Sequence, residues 1–345
     1  VLAGRVKDLW MQIECQGDPS VFETDRAEWN ELTARSLTQT PFQLAEFQRV
    51  WWRHFGGGDL CVLKMRDEAG RLSAIAPLFV DPADGGTVRW VGGEEIADYL
   101  DIIAPPETME DAARAVWRWL NSPDAPRWNR MALSNIPEWT PTPQTLKTLA
   151  VEAGWRAETT QIDVCPVIQL PNTFDAYLKQ IDGKQRQEIN RKLRRAQASE
   201  SAVTWYIVDS GRDLAAETEP FMDLMASASP DKAAFLTPKM RAAFRELFPV
   251  MHKAGVLQLA FLEVDKKKTA AYAQFDYAGR IWVYNSGIRA GEAAALSPGW
   301  VLLARLIENA VNTQRTVYDF MQGSEEYKYR FGGKDTAVFR LTIEK

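Results

Sequence analysis

Residues 281–332 read IWVYNSGIRAGEAAALSPGWVLLARLIENAVNTQRTVYDFMQGSEEYKYRFG, and the fold is decided there. β-branched and aromatic residues from Ile281 to Gly287 predict a strand, because such side chains suit a pleated, half-buried surface. A loop rich in Ala and Gly follows and ends at Ser297-Pro298-Gly299. Ser297 can cap a helix, Pro298 suits the first helical position, where its missing N–H would go unpaired anyway, and Gly299 leaves the exposed amides uncovered. The run from Trp300 to Ala310, WVLLARLIENA, is apolar on most sides and has no carboxylate in its first turn. A helix start of that kind favours phosphate, since free N–H groups and the positive end of the dipole face the anion. Thr316 to Met321 predicts a second strand, parallel to the first because a helical crossover joins them.

A strand, a phosphate-facing helix start and a parallel strand resemble the acyl-CoA half of the GNAT superfamily of N-acyltransferases. Tyr318-Asp319-Phe320-Met321-Gln322-Gly323, then Glu325, Tyr327-Lys328 and Arg330-Phe331, resemble the closing motif of the CelD-like acetyltransferase family, relatives of the Fem-type aminoacyl transferases. Asp98-Tyr99-Leu100-Asp101 resembles a segment common in the first half of that family. The family's usual pyrophosphate signature has Gln or Arg and two Gly before the helix, whereas this chain has only Ser-Pro-Gly. The resemblance implies a mixed α/β fold of tandem GNAT-like domains, each a twisted mixed sheet flanked by helices. Residues 1–168 would form a degenerate, acceptor-side domain and residues 169–345 the domain that holds the acyl donor, with the acceptor in the cleft between them. It implies an acyl-CoA-dependent N-acyltransferase with acetyl-CoA or another acyl-CoA as donor substrate and no tightly bound cofactor.

Bulk composition agrees with an ordinary globular protein. The 345 residues exceed one typical domain, and 46% hydrophobic with 25% charged residues can fill two cores. Apolar runs fall far short of a membrane span and the first residues are charged, so a cytoplasmic protein is expected, with attachment to a membrane-bound complex left open. Cys15, Cys61 and Cys165 are widely spaced and flanked by apolar residues, which reads as buried thiols. With only His54 and His252 in the chain, neither a Cys/His pair nor a metal site is expected. Charge is unequally shared: from Pro171 onward 25 Lys and Arg face 21 Asp and Glu, leaving 16 against 25 before it. An anionic donor therefore belongs to the second half.

Two helices sharpen that contrast. Met109–Leu120 begins after Glu107 and carries Glu110 and Asp111 in its first turn, where phosphate would be repelled. GKQRQEINRKLRRAQ, from Gly183, surrounds Ile189 and Leu193 with Lys184, Arg186, Arg191, Lys192, Arg194 and Arg195. It is either a solvated amphipathic helix or one that faces an anion, whether CoA phosphate, a tRNA acceptor stem or a polyanionic acceptor; net acidity and the absence of interleaved aromatics argue against a general nucleic-acid binder. Trp51-Trp52, on a helix from Gln43 to Phe55, could stack a sugar or pack against a sheet.

Acyl transfer from a thioester to an amine asks for a neutral amine, donors for the oxyanion and a proton for the thiolate, but for no covalent nucleophile. Asp319 is the first candidate base, then Glu325 or Glu263; Tyr284 and Tyr327 are candidate acids. Asn285, Ser286 and Gly287 could hold the pantetheine chain, Ser297, Pro298, Gly299 and Trp300 the pyrophosphate, and Lys328 and Arg330 the anionic parts of a ligand. Asp98, Tyr99, Asp101 and Gln274 could orient an acceptor amine, although the acidic segment could equally be a turn whose Asp98 caps neighbouring amides. Two other readings keep the fold: a Fem-type transferase fed by aminoacyl-tRNA, and a non-catalytic binding or scaffold protein.

Overall fold

The structure, a computed structural model, describes residues 12–289, 291 and 293–345. Residues 10–14 read in sequence as a short strand, of which Trp10 and Met11 lie outside the described residues. The chain forms two compact units: residues up to Asp163 together with Ala337–Lys345, and Val164–Thr336. The boundary expected after residue 168 falls inside a strand, and the C-terminal segment joins the first unit.

Unit 1 contains β1 (Gln12–Gln16), α1 (Val21–Thr24), α2 (Arg26–Arg35), α3 (Ala45–Phe55), β2 (Asp59–Arg66), β3 (Leu72–Asp81), β4 (Thr87–Trp90), α4 (Met109–Leu120), β5 (Arg130–Pro137) and α5 (Thr142–Glu152). The chain leaves it along β6 (Arg156–Gln169). Unit 2 follows with α6 (Phe174–Gln180), α7 (Gly183–Gln197), β7 (Val203–Ile207), α8 (Leu214–Ala228), α9 (Pro230–Phe235), α10 (Pro238–Lys253), β8 (Leu257–Val264), β9 (Lys267–Tyr277), β10 (Arg280–Ile288), α11 (Pro298–Asn312), β11 (Val317–Asp319) and α12 (Glu326–Arg330). β12 (Lys334–Glu344) then returns to unit 1.

Both sheets have one topology. In unit 1 the order is β1-β2-β3-β4-β5-β12 and only β4 and β5 are parallel. In unit 2 the order is β7-β8-β9-β10-β11-β6 and only β10 and β11 are parallel. Each parallel pair is joined through a helix, α4 or α11, as a crossover connection requires. Each sheet ends on a strand from the other half of the chain, since β6 pairs with β11 and β12 with β5.

α11 is apolar nearly all round because it lies between a sheet and another helix. Leu302, Leu306 and Ile307 pack in one cluster with Ala260, Leu262 and Tyr272 of the sheet and Ile189 of α7. Gly287 has its own packing reason: a Cβ there would strike the backbone of α8 at Leu224 and Met225. Cys61 and Cys165 are buried, but Cys15 is exposed on β1, with its Sγ 3.7 Å from that of Cys61. The stretch from Phe22 to Ser36 reads in sequence as one helix, but the structure has two there, α1 and α2, broken at Asp25.

Candidate functional site

In unit 2 the parallel strands meet only over Arg280–Trp282 and Val317–Asp319. Beyond that point β10 carries a bulge: Val283 pairs with Gln274 and Asn285 with Ala273, leaving Tyr284 as the extra residue. A bulge bends its strand and raises the local twist, and the pairing of β10 with β11 ends before it, which leaves a gap in the ladder. Into the gap reaches Lys232 of α9, whose Nζ donates to the Ser286 carbonyl at 2.6 Å and to Ser286 Oγ at 3.3 Å. Burial pulls its pKa down to about 8, opposed by Glu325 and reinforced by Lys328.

The opposite wall is the turn after β11. Asp319 is buried and its Oδ1 accepts from the Met321 amide at 2.8 Å, holding Met321 at φ +61°. Lys328 is 2% exposed, and its Nζ donates to the carbonyls of Met321 at 3.1 Å, Gln322 at 2.6 Å and Gly323 at 3.0 Å. It also pairs with Glu325 at 2.9 Å, so its charge is spent on shaping the turn. Glu325 keeps a half-exposed side chain. It is near enough to the Tyr272 and Tyr327 phenols to raise both pKa values, which burial already raises. Tyr327 thus stays protonated and is a weaker match to a thiol than its residue type suggested. Tyr284 packs with Phe244 and Phe275, ring centroids 5.8 and 4.9 Å away. Arg330 pairs with Glu326 one turn back on α12, a solvated pair.

Ser297, which begins α11, adopts the left-handed conformation (φ 53°, ψ 55°) and makes no side-chain cap. Its hydroxyl instead accepts from Lys192 Nζ and Arg195 Nη2, each at 3.2 Å, both from α7. Lys192 also lies 4.2 Å from the centre of the Trp300 ring, a cation–π contact. A helix start without an acidic residue in its first turn is thereby joined by two cations. Pro298 takes the first helical position as its ring predicts. Gly299 has a different reason from the one its neighbours suggest: a Cβ there would strike the Ile288 side chain. Trp300 packs at a tilt of 52° against Phe331, centroids 4.9 Å apart, which ties this corner to the end of α12. Beside it a cavity of about 560 Å³ is lined by Lys267, Lys268, Arg289 and Leu296, the last adjacent to Ser297.

Asn285, Ser286, Glu325, Tyr327 and Lys328 therefore gather around the gap, while Ser297, Pro298 and Trp300 gather at the helix start. Gln274 does not line an opening: it is buried, accepting from Tyr318 Oη at 3.0 Å and donating to Gln258 at 2.9 Å. Nor do Asp98, Tyr99 and Asp101 of unit 1. Tyr99 and Asp101 are fully buried, and Asp98 is half-buried. The Leu100 amide donates to the Asn135 carbonyl at 2.8 Å, and Asn135 Nδ2 to the Ala97 carbonyl. These bonds lay the segment beside β5 past the end of its pairing with β4, filling the gap that stays open in unit 2. Burial raises the Asp101 carboxyl to about 6 against the opposing pull of Thr142, Thr140 and the Ile102 amide. Lys232 and Tyr272 were not singled out by sequence; Ser229-Pro230 marks a helix start, but nothing local reveals where the lysine points.

Residues 183–329 match a family model described as an acetyltransferase (GNAT) domain. Comparison with curated protein sequences finds no match. Among solved structures the chain is similar to FemX, with a TM-score of 0.65 at 11% identity over 91% of this chain and 95% of that one. It is also similar to a structure described as the C-terminal domain of a lysylphosphatidylglycerol synthetase from Agrobacterium fabrum, with a TM-score of 0.56 at 14% identity over 94% and 93%. A third is L-PGS from Bacillus licheniformis, with a TM-score of 0.52 at 9% identity over 87% and 91%. No described helix is long and apolar enough to cross a membrane. Residues 183–329 thus match the model of a GNAT-type acetyltransferase domain, and the fold of the chain is similar to that of FemX.

Proposed function

We propose that unit 2 transfers an acyl group from acyl-CoA to an amine. One observation carries this reading: Lys192 and Arg195 converge on Ser297 at the acid-free start of α11. Two cations and a helix dipole at one point suit a pyrophosphate, and the cavity beside Leu296, where Lys267, Lys268 and Arg289 outnumber Asp265 although Lys268 also pairs with Glu217, suits the nucleotide end of the same donor. The thioester arm then runs toward the gap beside Asn285 and Ser286. The finer likeness to the CelD-like family rests on the motif from Tyr318 to Phe331.

In this mechanism the amine nitrogen attacks the thioester carbonyl and the C–S bond breaks. Glu325, half-exposed at the rim, takes the amine proton directly or through water, a role better suited to it than to Asp319, whose carboxylate holds the Met321 turn. The Lys232 ammonium gives its proton to the leaving thiolate. Its pKa of about 8 lies closest to that of a thiol among the groups around the gap with a resolved shift. Backbone N–H groups of β10 past the bulge supply the oxyanion donors.

Free-thiol release from acetyl-CoA and longer acyl-CoAs, with mixed amine acceptors, tests the reading. Release that depends on both substrates is expected; no release from any donor overturns it. The exposed cations of α7 favour a second reading, in which aminoacyl-tRNA is the donor as in Fem-type enzymes. Steep salt dependence of tRNA binding, lost when Arg191 and Arg194 become Ala, would select that reading.

A further inference from the structure

We propose that Cys15 and Cys61 of unit 1 are a thiol pair that peroxide oxidises to a disulfide, tying the edge strand β1 to β2. Their Sγ atoms lie 3.7 Å apart, although the residues are 46 positions apart in the chain. The register sets Cys15 opposite Leu63, so Cys61, two residues away on β2, shares its face of the sheet and the sulfurs meet across a diagonal. Cys15 is exposed and Cys61 is buried. A buried cysteine is explained as a small apolar filler, but an exposed one on an edge strand has no packing need for sulfur. Oxidation-sensitive thiols combine access to solvent with a second thiol close by, and this pair has both.

The two sulfurs take different parts. The Cys61 thiol holds the Cys15 pKa below the ordinary thiol value, against the opposite pull of desolvation, whereas Cys15 and burial push the Cys61 pKa up. Cys15 is thus the thiolate that an oxidant meets first. Its sulfur attacks one oxygen of hydrogen peroxide; the O–O bond breaks, hydroxide leaves and a sulfenic acid remains. The Cys61 sulfur then attacks the Cys15 sulfur, the S–O bond breaks, and the departing hydroxide takes the Cys61 proton as water. Two thiols lose two electrons and two protons, and one peroxide becomes two waters. Bond formation brings the sulfurs from 3.7 Å to about 2 Å, and β1 can follow because, among the described residues, it has a neighbouring strand on one side only. Cys165, buried in unit 2, is the internal control.

Peroxide treatment of the reduced full chain, then denaturation in N-ethylmaleimide and peptide mapping without reduction, tests the proposal. In monomeric protein, a peptide carrying Cys15 linked to one carrying Cys61 is expected, with Cys165 alkylated. Cys61→Ala should stop the reaction at the Cys15 sulfenic acid, which dimedone then traps at least about tenfold more than in the wild type, and Cys15→Ser should leave Cys61 unoxidised. Absence of the link, a link only between two chains, or a link that engages Cys165 equally overturns it. So does equal dimedone trapping in the wild type and a folded Cys61→Ala. If that variant folds poorly, the wild-type map alone decides. None of these readouts involves acyl-CoA, so the failure of either proposal leaves the other standing.

Discussion

Units 1 and 2 share a strand order, a single parallel pair and a crossover helix, and they differ at the two places where a phosphate-bearing thioester would touch them. α4 begins with Glu110 and Asp111 in its first turn; α11 begins with no acid and with Lys192 and Arg195 above it. Past β4 the gap is closed by main chain, through the Leu100–Asn135 bond, whereas past β10 it holds one lysine side chain. A duplicated scaffold keeps its core while its ligand corner is free to change, because core packing and helix-end charge involve different residues.

The comparison breaks most visibly if the cations are reversed. Lys192→Glu with Arg195→Glu should give α11 an acidic start like that of α4 and weaken acyl-CoA binding by about 100-fold or more, read by calorimetry at low salt. Next in size is Lys232→Met, expected to lower kcat by about 100-fold, the usual scale for a positioned acid. In the wild type the acid form is the active one, so kcat should fall as pH rises through about 8, and the variant should lack that limb. Lys232 also carries a stability sign. Its folded pKa lies below the ordinary 10.5, so the unfolded chain binds the proton better; the penalty is full below about pH 8 and fades as pH rises toward 10.5. Lys232→Met should therefore raise stability at pH 7 by about 1–2 kcal/mol while it removes activity.

In unit 1 the matching test is Asp101→Asn. The folded pKa of about 6 exceeds the ordinary 3.8, so the carboxyl favours folding only below about pH 4 and loses that contribution as pH rises to 6. The variant should be more stable by about 1–3 kcal/mol at pH 7.5, with the gain vanishing near pH 4, and should leave acyl-CoA binding unchanged. Smallest of all is Arg330→Ala, which removes only a solvated pair with Glu326 and should shift stability by under about 0.5 kcal/mol.

Much of this contrast is legible in the chain itself. The acids before α4, their absence before α11, and the alternation that makes β2, β3, β8, β9 and β10 are local signals, and local signals survive folding. What sequence order hides is which distant side chains converge. Lys328 and Arg330 look equivalent on paper, yet one is buried among three carbonyls and the other is solvated. Lys232 acquires its character only when α9 docks beside the bulge of β10. The exchange of β6 and β12 between sheets escapes notice for the same reason. Nothing local to residues 334–344 names β5 as the partner of β12.

Titration of CoA into the wild type and the Lys192→Ala/Arg195→Ala variant, each at two salt concentrations, tests the central claim most directly. The account predicts saturable binding to the wild type, at least about tenfold weaker and less salt-dependent in the variant. Equal affinity and equal salt dependence in the two proteins would contradict it.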